Sequence, residues 1–86
     1  MSTSLLGLLN HSTQTDEVQA GRRYCRHLEG TLTETAAVLE VRNDALGIPH
    51  VRFTVAFERP WRPRIDHGPR VLALGSFTAT YPERIS

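Results

Sequence analysis

The chain has 86 residues, of which 40% are apolar and 22% charged, so it is long enough for one folded domain and too apolar for a disordered chain. Its formal net charge of +1 predicts neither a strongly basic surface that binds nucleic acid nor an acidic tail. Cys25 is the only cysteine, which excludes an intramolecular disulfide and therefore the secreted proteins that depend on disulfides.

The first 20 residues differ from the rest and predict a separate N-terminal arm. The polar stretch STQTDEVQAG has no apolar period and ends at Gly21, which breaks a helix. The stretch LLGLL at 5–9 is too short for a membrane span and lacks the basic flank of a signal peptide. We expect a flexible arm or one short helical turn at 1–20, on a bacterial, cytoplasmic protein without membrane contact. Oligomers could form through its four leucines, Leu5, Leu6, Leu8 and Leu9.

Two strands are predicted after the arm. The first, RRYCRHLE at 22–29, places Tyr24 and Leu28 on one face and Cys25 and His27 on the other. The second, TETAAVLEVRN at 33–43, is rich in β-branched residues and short of helix formers. Its alternation predicts one face with Ala37, Leu39 and Val41 and an opposite face with Val38, Glu40 and Arg42.

The clearest strand lies at 50–58, after a turn that Asn43, Asp44 and Gly47 predict. Pro49 can begin such a strand, and Pro60 lies just beyond its end. The strict period of two indicates one buried face and one wet face. The buried face is predicted to carry Val51, Phe53, Val55 and Phe57.

The last part of the chain predicts two short apolar elements with a tight turn between them. VLAL at 71–74 is a short strand, and the spacing of Leu74 and Phe77 predicts a single 3₁₀ turn. TATY at 78–81 is then a last strand. The domain at 21–86 is therefore all-β, with four or five short antiparallel strands. The predicted sheet has one apolar face and the sequence predicts no convincing helix to cover it, so closure into a small barrel is favoured.

The layout resembles the small SH3-like β-barrel proteins of bacteria, including short proteins of unassigned function. The features that match are an opening strand with RYCRH and Gly30, the long strand HVRFTVAF, and the closing VLALGSF followed by Tyr81. The resemblance covers residues 22–82 and implies the barrel fold. It implies no chemistry, and the Arg/Pro-rich stretch at 59–70 lies outside the shared pattern.

The chain contains none of the common sequence signatures of catalysis or nucleotide binding. A Walker loop, GxGxxG, GxSxG and HExxH are all absent from the sequence, so we expect a protein without catalytic residues or a cofactor. Cys25 and His27 share a strand face, and His50 could complete a three-ligand zinc site. The interpretation that we favour is a half-buried thiol beside surface histidines, with no metal.

The stretch RPWRPRIDHGPR at 59–70 is the best candidate binding site. Residues 59–86 hold five arginines against two acids, a net of +3, whereas residues 1–58 hold five against seven, a net of −2. Arginine binds phosphate and carboxylate in bidentate fashion, and tryptophan offers a stacking face. The predicted binding residues are Arg59, Trp61, Arg62, Arg64, His67 and Arg70.

An alternative interpretation of this stretch is structural. Trp61 would then cap the open end of the barrel, and the arginines would pair with Glu34, Glu40 or Glu58. Among functions, we expect a small non-catalytic binding module that uses the loop. The alternatives are an assembly subunit that uses the leucine-rich arm and strand edges, and a protein that binds RNA or other single-stranded nucleic acid.

Overall fold

The computed structural model describes residues 18–86, which form one antiparallel sheet and one helix. The elements are β1 (Arg23–His27), β2 (Thr33–Asn43), β3 (Pro49–Glu58), β4 (Ile65–Ala73), α1 (Leu74–Thr80) and β5 (Glu83–Arg84). The order across the sheet is β4-β3-β2-β1-β5, and each neighbouring pair is antiparallel. The prediction of a small all-β domain with five antiparallel strands is confirmed.

The sheet is open, because β4 and β5 are its two edges and do not pair with each other. The sheet therefore does not close into the predicted barrel, and a helix covers its apolar face instead. Helix α1 takes the place of both the predicted 3₁₀ turn and the predicted strand at 78–81. Its Phe77 is fully buried, with its ring centroid 5.0 Å from that of Phe53 and 5.5 Å from that of Tyr24. This packing supplies the cover that an apolar sheet face requires.

The core lies between this face of the sheet and α1. From β3 it receives Val51, Phe53 and Val55, each no more than 1% exposed, so the alternation predicted for that strand is confirmed. Strand β2 departs from its predicted pattern at one residue. Val38 pairs with Phe53 but Glu40 pairs with Arg52, so the residue between them is a bulge. The bulge moves the second half of β2 by one position, and its predicted faces are exchanged beyond it.

Strand β4 is longer than predicted and includes the second half of the expected 59–70 loop. His67 pairs with Val55 and Arg70 pairs with Phe53, with a bulge between the two pairs. A Cβ atom at Gly68, within the bulge, would lie 2.6 Å from the Cγ2 atom of Thr54, so this close approach requires glycine. An edge strand with a bulge can accommodate a proline that a central strand cannot. Only residues 59–64 remain a loop.

The folded domain begins before the predicted boundary at Gly21. Val18 is 6% exposed and belongs to the core cluster. The Gly21 amide donates a hydrogen bond to the Val38 carbonyl, and the Val38 amide donates to the carbonyl of Arg22. The leucines of the predicted arm lie outside the described residues. Within residues 18–86, no helix is long and apolar enough to cross a bilayer.

Candidate binding site at the Arg/Trp loop

Within residues 18–86, one end of the core face is left open, because the helix is much shorter than the sheet. Seven residues of helix span about 10 Å, whereas the ten residues of β3 span about 34 Å. At the end of β3 the uncovered face forms a hollow of about 600 Å³. The hollow is lined by Leu32, Phe57, Arg59, Arg62, Pro63, Ile65 and His67.

The surface of the hollow is mostly apolar. Phe57 and Ile65 are cross-strand partners on β3 and β4, and their side chains lie on the core face beyond the reach of α1. Ile65 is 58% exposed. The ring of His67 packs edge-on against that of Phe57, with centroids 5.5 Å apart. The hollow can therefore receive an apolar group, which would shield these side chains from water.

Trp61 belongs to the loop whose Arg59, Arg62 and Pro63 line this hollow, and it is completely exposed. The structural interpretation, in which Trp61 caps the core, is therefore wrong. Its backbone has a φ of 60°, a conformation that is uncommon for a bulky residue and that costs about 1–3 kcal/mol. The turn is closed by a hydrogen bond from the Arg62 amide to the Arg59 carbonyl, 3.3 Å long. The loop thus holds its largest apolar side chain in water.

The four predicted arginines divide into two pairs. Arg59 and Arg62 line the hollow, and neither guanidinium has a hydrogen bond or ion pair with any described residue. Arg64 donates a 2.8 Å hydrogen bond to Asp66, and this bond raises the pKa of the guanidinium. Arg70 lies 3.8 Å from the Glu34 carboxylate. The free pair sits where a ligand in the hollow would meet it, while the other pair is already partnered.

A buried carboxylate lies next to the hollow, and the sequence did not single it out as a site. Glu34 is 1% exposed and is the cross-strand partner of Phe57. It accepts a 2.6 Å hydrogen bond from the Tyr81 hydroxyl and lies 2.7 Å from the Arg26 guanidinium. Burial, followed by this hydrogen bond, raises the pKa of Tyr81. Of the three acids predicted to pair with the loop arginines, Glu34 lies within ion-pair distance of Arg70, and Glu58 contributes to the raised pKa of Arg64 after Asp66.

The apolar residues of the hollow were not predicted as a site. Leu32 and Ile65 are isolated apolar residues in polar stretches, a pattern that single exposed side chains also show. Phe57 was predicted to face the core, and it does, but beyond the end of the helix. The one available signal was that β3 has four apolar positions on its buried face. A short covering element packs against only some of them.

The three residues considered as a possible zinc site, Cys25, His27 and His50, do not all come together. Cys25 is opposite Thr35 on β2, whereas His50 is opposite Arg42. Seven residues of strand separate those positions, or about 23 Å. The His50 Nδ1 atom lies 3.0 Å from the Ile48 carbonyl oxygen, within the turn between β2 and β3.

Comparisons with protein-family models, with curated protein sequences and with solved structures find no match for this chain. The resemblance to SH3-like barrels therefore stays a prediction. The function proposed below rests on the contacts, exposure and charge of the residues described above.

Proposed function

We propose that this protein is a non-catalytic binding module that holds a peptide segment of a protein partner in the hollow. The partner would place one large apolar side chain in the hollow against Phe57 and Ile65. Acidic residues beside it would meet the guanidinium groups of Arg59 and Arg62. The single observation that carries the proposal is the apolar hollow, which is lined by residues of the same loop that exposes Trp61 completely.

The composition of the site favours a protein partner over a nucleic acid. Tryptophan, tyrosine and arginine dominate the binding energy of protein interfaces, with an apolar centre and a polar rim. Here the centre is apolar and two unpaired arginines lie around it. A site for single-stranded nucleic acid instead needs a basic groove that follows several phosphates. Two of the four loop arginines are already paired, with Asp66 and Glu34, which leaves too few for such a groove.

Fluorescence of Trp61 tests the proposal directly, because it is the only tryptophan. The probes are short synthetic peptides with a central Phe or Leu between glutamates, and the same peptides with Ala at the centre. We expect the Phe and Leu peptides to change the emission of Trp61 and the Ala peptides to bind at least about tenfold more weakly, since a lost anchor costs more than about 1.4 kcal/mol.

One isoleucine and one valine on β4 provide a matched pair of variants. Ile65 and Val71 are each 58% exposed, so neither change should unfold the domain, but only Ile65 lines the hollow. Ile65→Asp should abolish peptide binding and Val71→Asp should leave it unchanged. Equal effects of the two variants would contradict the proposal. A different outcome would favour nucleic-acid binding instead. In that case the protein would bind oligothymidylate, with an affinity that falls steeply between 50 and 200 mM salt, and would bind none of the peptides.

A second candidate function, assembly with further copies of the chain, is favoured by apolar residues at the opposite end of the sheet. The strand ends and the turn between β2 and β3 expose several large apolar side chains, on both faces of the sheet. These are Leu39, Val41, Leu46, Ile48 and Val71, which are between 37% and 83% exposed. Clusters of exposed apolar side chains of this kind mark contact surfaces.

The mass of the protein in light scattering, measured over a range of concentrations, tests this second function. Assembly through this end predicts a mass above that of the single chain, which Leu46→Asp or Val71→Asp reduces to the single-chain value. Ile65→Asp serves as the control and should not change the mass. A single-chain mass at every concentration would rule out assembly and leave the peptide-binding function unaffected.

A further inference from the structure

The C-terminal strand brings a carboxylate to the face of β1 that carries the thiol and an imidazole. Cys25 and Glu83 are directly paired across β1 and β5, so their side chains lie on the same face of the sheet. His27 is two residues beyond Cys25 and shares that face. The three side chains therefore meet on the side of the sheet away from the core and the hollow.

The distances between the three groups suit a metal ion. One ligand atom from each of Cys25, His27 and Glu83 lies within 4.8 Å of the other two. The His27 Nε2 and Glu83 Oε1 atoms are 3.4 Å apart. In a tetrahedral zinc site, with bonds of about 2.0–2.3 Å, ligand atoms are about 3.3–3.6 Å apart. The His27 and Glu83 side chains are 61% and 57% exposed, so they are free to rotate and close the remaining gap.

The type of each ligand also indicates zinc. A thiolate, an imidazole and a carboxylate are the three side-chain ligands that Zn²⁺ takes in proteins. The thiolate of Cys25 and the carboxylate of Glu83 together balance the two positive charges of the ion. Binding of the metal releases the thiol proton to solvent as the sulfur–metal bond forms.

A threonine hydroxyl on β2 lies within hydrogen-bond distance of the second nitrogen of the imidazole. The Thr33 Oγ1 atom lies 3.3 Å from the His27 Nδ1 atom, and the two residues are cross-strand partners. When the Nδ1–H group donates to this oxygen, the lone pair is on Nε2, the nitrogen that faces Glu83. Metal-binding histidines generally make such a second hydrogen bond, which fixes the tautomer. An exposed His–Glu ion pair alone would contribute little and would not involve the thiol.

We propose that Cys25, His27 and Glu83 form a zinc site that joins β5 to β1 and leaves one coordination position for water. The site is separate from the hollow, and its ligands come from two strands that are far apart in the sequence. It revises the expectation of no metal, since the third ligand is Glu83 and not His50. Zinc would also hold the C-terminal strand, where the Ile85 amide donates a 2.8 Å hydrogen bond to the Arg23 carbonyl.

Titration of the reduced, metal-free full chain with cobalt(II) tests the site, because a thiolate ligand gives cobalt a charge-transfer band in the near ultraviolet. We expect the band to saturate at about one cobalt ion per chain and to disappear on addition of zinc, which binds such sites more tightly. Zinc should also slow hydrogen exchange of the Ile85 amide. Cys25→Ser should remove the band.

Variants at the two exposed ligands keep the test independent of folding. Glu83→Gln and His27→Gln should each weaken metal binding by about tenfold or more, whereas His50→Gln, the matched control, should leave the affinity unchanged. Absence of the charge-transfer band in the wild type would overturn the proposal. An affinity for cobalt that is the same in Glu83→Gln, His27→Gln and His50→Gln would overturn it as well.

Discussion

At the scale of single residues, the buried carboxylate of Glu34 has the most demanding environment in the described part of the chain. A charge that is 1% exposed must be paired and hydrogen-bonded, because an uncompensated buried charge is strongly destabilising. Tyr81 and Arg26 supply these contacts from α1's C-terminal end and from β1. Glu34 therefore links elements that lie 47 residues apart, and its contacts select this arrangement of helix and sheet.

The first prediction concerns the hydroxyl of Tyr81. Tyr81→Phe should lower the free energy of unfolding at neutral pH by about 1.5–3 kcal/mol, the contribution of a hydrogen bond to a charged group. The folded-state pKa of Tyr81 is raised, so the unfolded chain loses the phenol proton first. Stability should be intact below about pH 10 and should fall as the pH rises above it.

Urea titrations at about pH 8 and about pH 11 measure both effects for the wild type and for Tyr81→Phe. The variant should lose less stability between the two pH values. Cys25 is present in both chains, so the ionisation of its thiol cancels in the difference. A loss of the same size in both chains would show that the Tyr81 hydroxyl is not held by Glu34.

The second prediction compares two glycines. A Cβ atom at Gly68 would lie 2.6 Å from the Cγ2 atom and 3.0 Å from the Cα atom of Thr54, whereas one at Gly75 meets nothing within 4 Å. Gly68→Ala should cost about 1–3 kcal/mol, since backbone must move. Gly75→Ala, in α1, should stabilise the fold by up to about 1 kcal/mol. Urea titration checks both, and changes of the same sign would contradict the bulge geometry.

At the scale of elements, α1 depends on its packing for stability. It has seven residues and no side-chain cap at Ala73, so it is too short and too weakly terminated to form alone. Phe77 is its one buried residue. The rings of Phe53 and Tyr24 meet that of Phe77 at steep angles, 68° and 86°, the edge-to-face geometry that aromatic pairs favour.

The third prediction is that Phe77→Ala releases the helix from the sheet. The substitution should cost about 3–5 kcal/mol and should raise hydrogen exchange at the Tyr81 amide, which donates to the Phe77 carbonyl. Ser76→Ala, at an exposed position of the same helix, should change stability by less than about 0.5 kcal/mol. Unchanged protection of the Tyr81 amide in Phe77→Ala would show that α1 is stable without its anchor.

At the scale of the whole molecule, the sheet is larger than helix α1, which packs on its apolar face. The molecule measures 50 × 32 × 19 Å, and the one helix within residues 18–86 covers only part of the core face of the sheet. The uncovered part includes the hollow, and the exposed apolar turn around Leu46 lies at the opposite end of the sheet. The hollow thus results from a two-layer fold with an incomplete second layer.

The fourth prediction tests where the folded molecule begins. Val18 packs in the core ahead of β1, so Val18→Ala should lower the free energy of unfolding by about 2 kcal/mol, from two lost carbons and the cavity that they leave. Gln19→Ala, at an exposed neighbouring position, is the control. If urea titrations give the two variants the same stability, the domain begins at Gly21 as the sequence predicts.

The amino-acid sequence by itself determined the features that depend on local pattern. The alternation in β3, its start at Pro49 and the turn after β2 follow from side-chain periodicity and from the backbone preferences of proline, asparagine and glycine. The all-β character of the domain follows from the same signals, repeated along the chain. So does the exposed, arginine-rich loop, which the sequence predicts at 59–70 and which occupies 59–64.

Only the tertiary structure decided the features that depend on contacts between distant residues. Helical or extended conformation of 74–80 depends on whether Phe77 finds a pocket, and that pocket is made by β1 and β3. The open sheet, the bulges and the extension of β4 through Pro69 depend on strand partners that local pattern does not specify. The same reason explains why Glu83 was missed beside Cys25, because strand pairing alone brings together residues 58 positions apart (83 − 25) in the sequence.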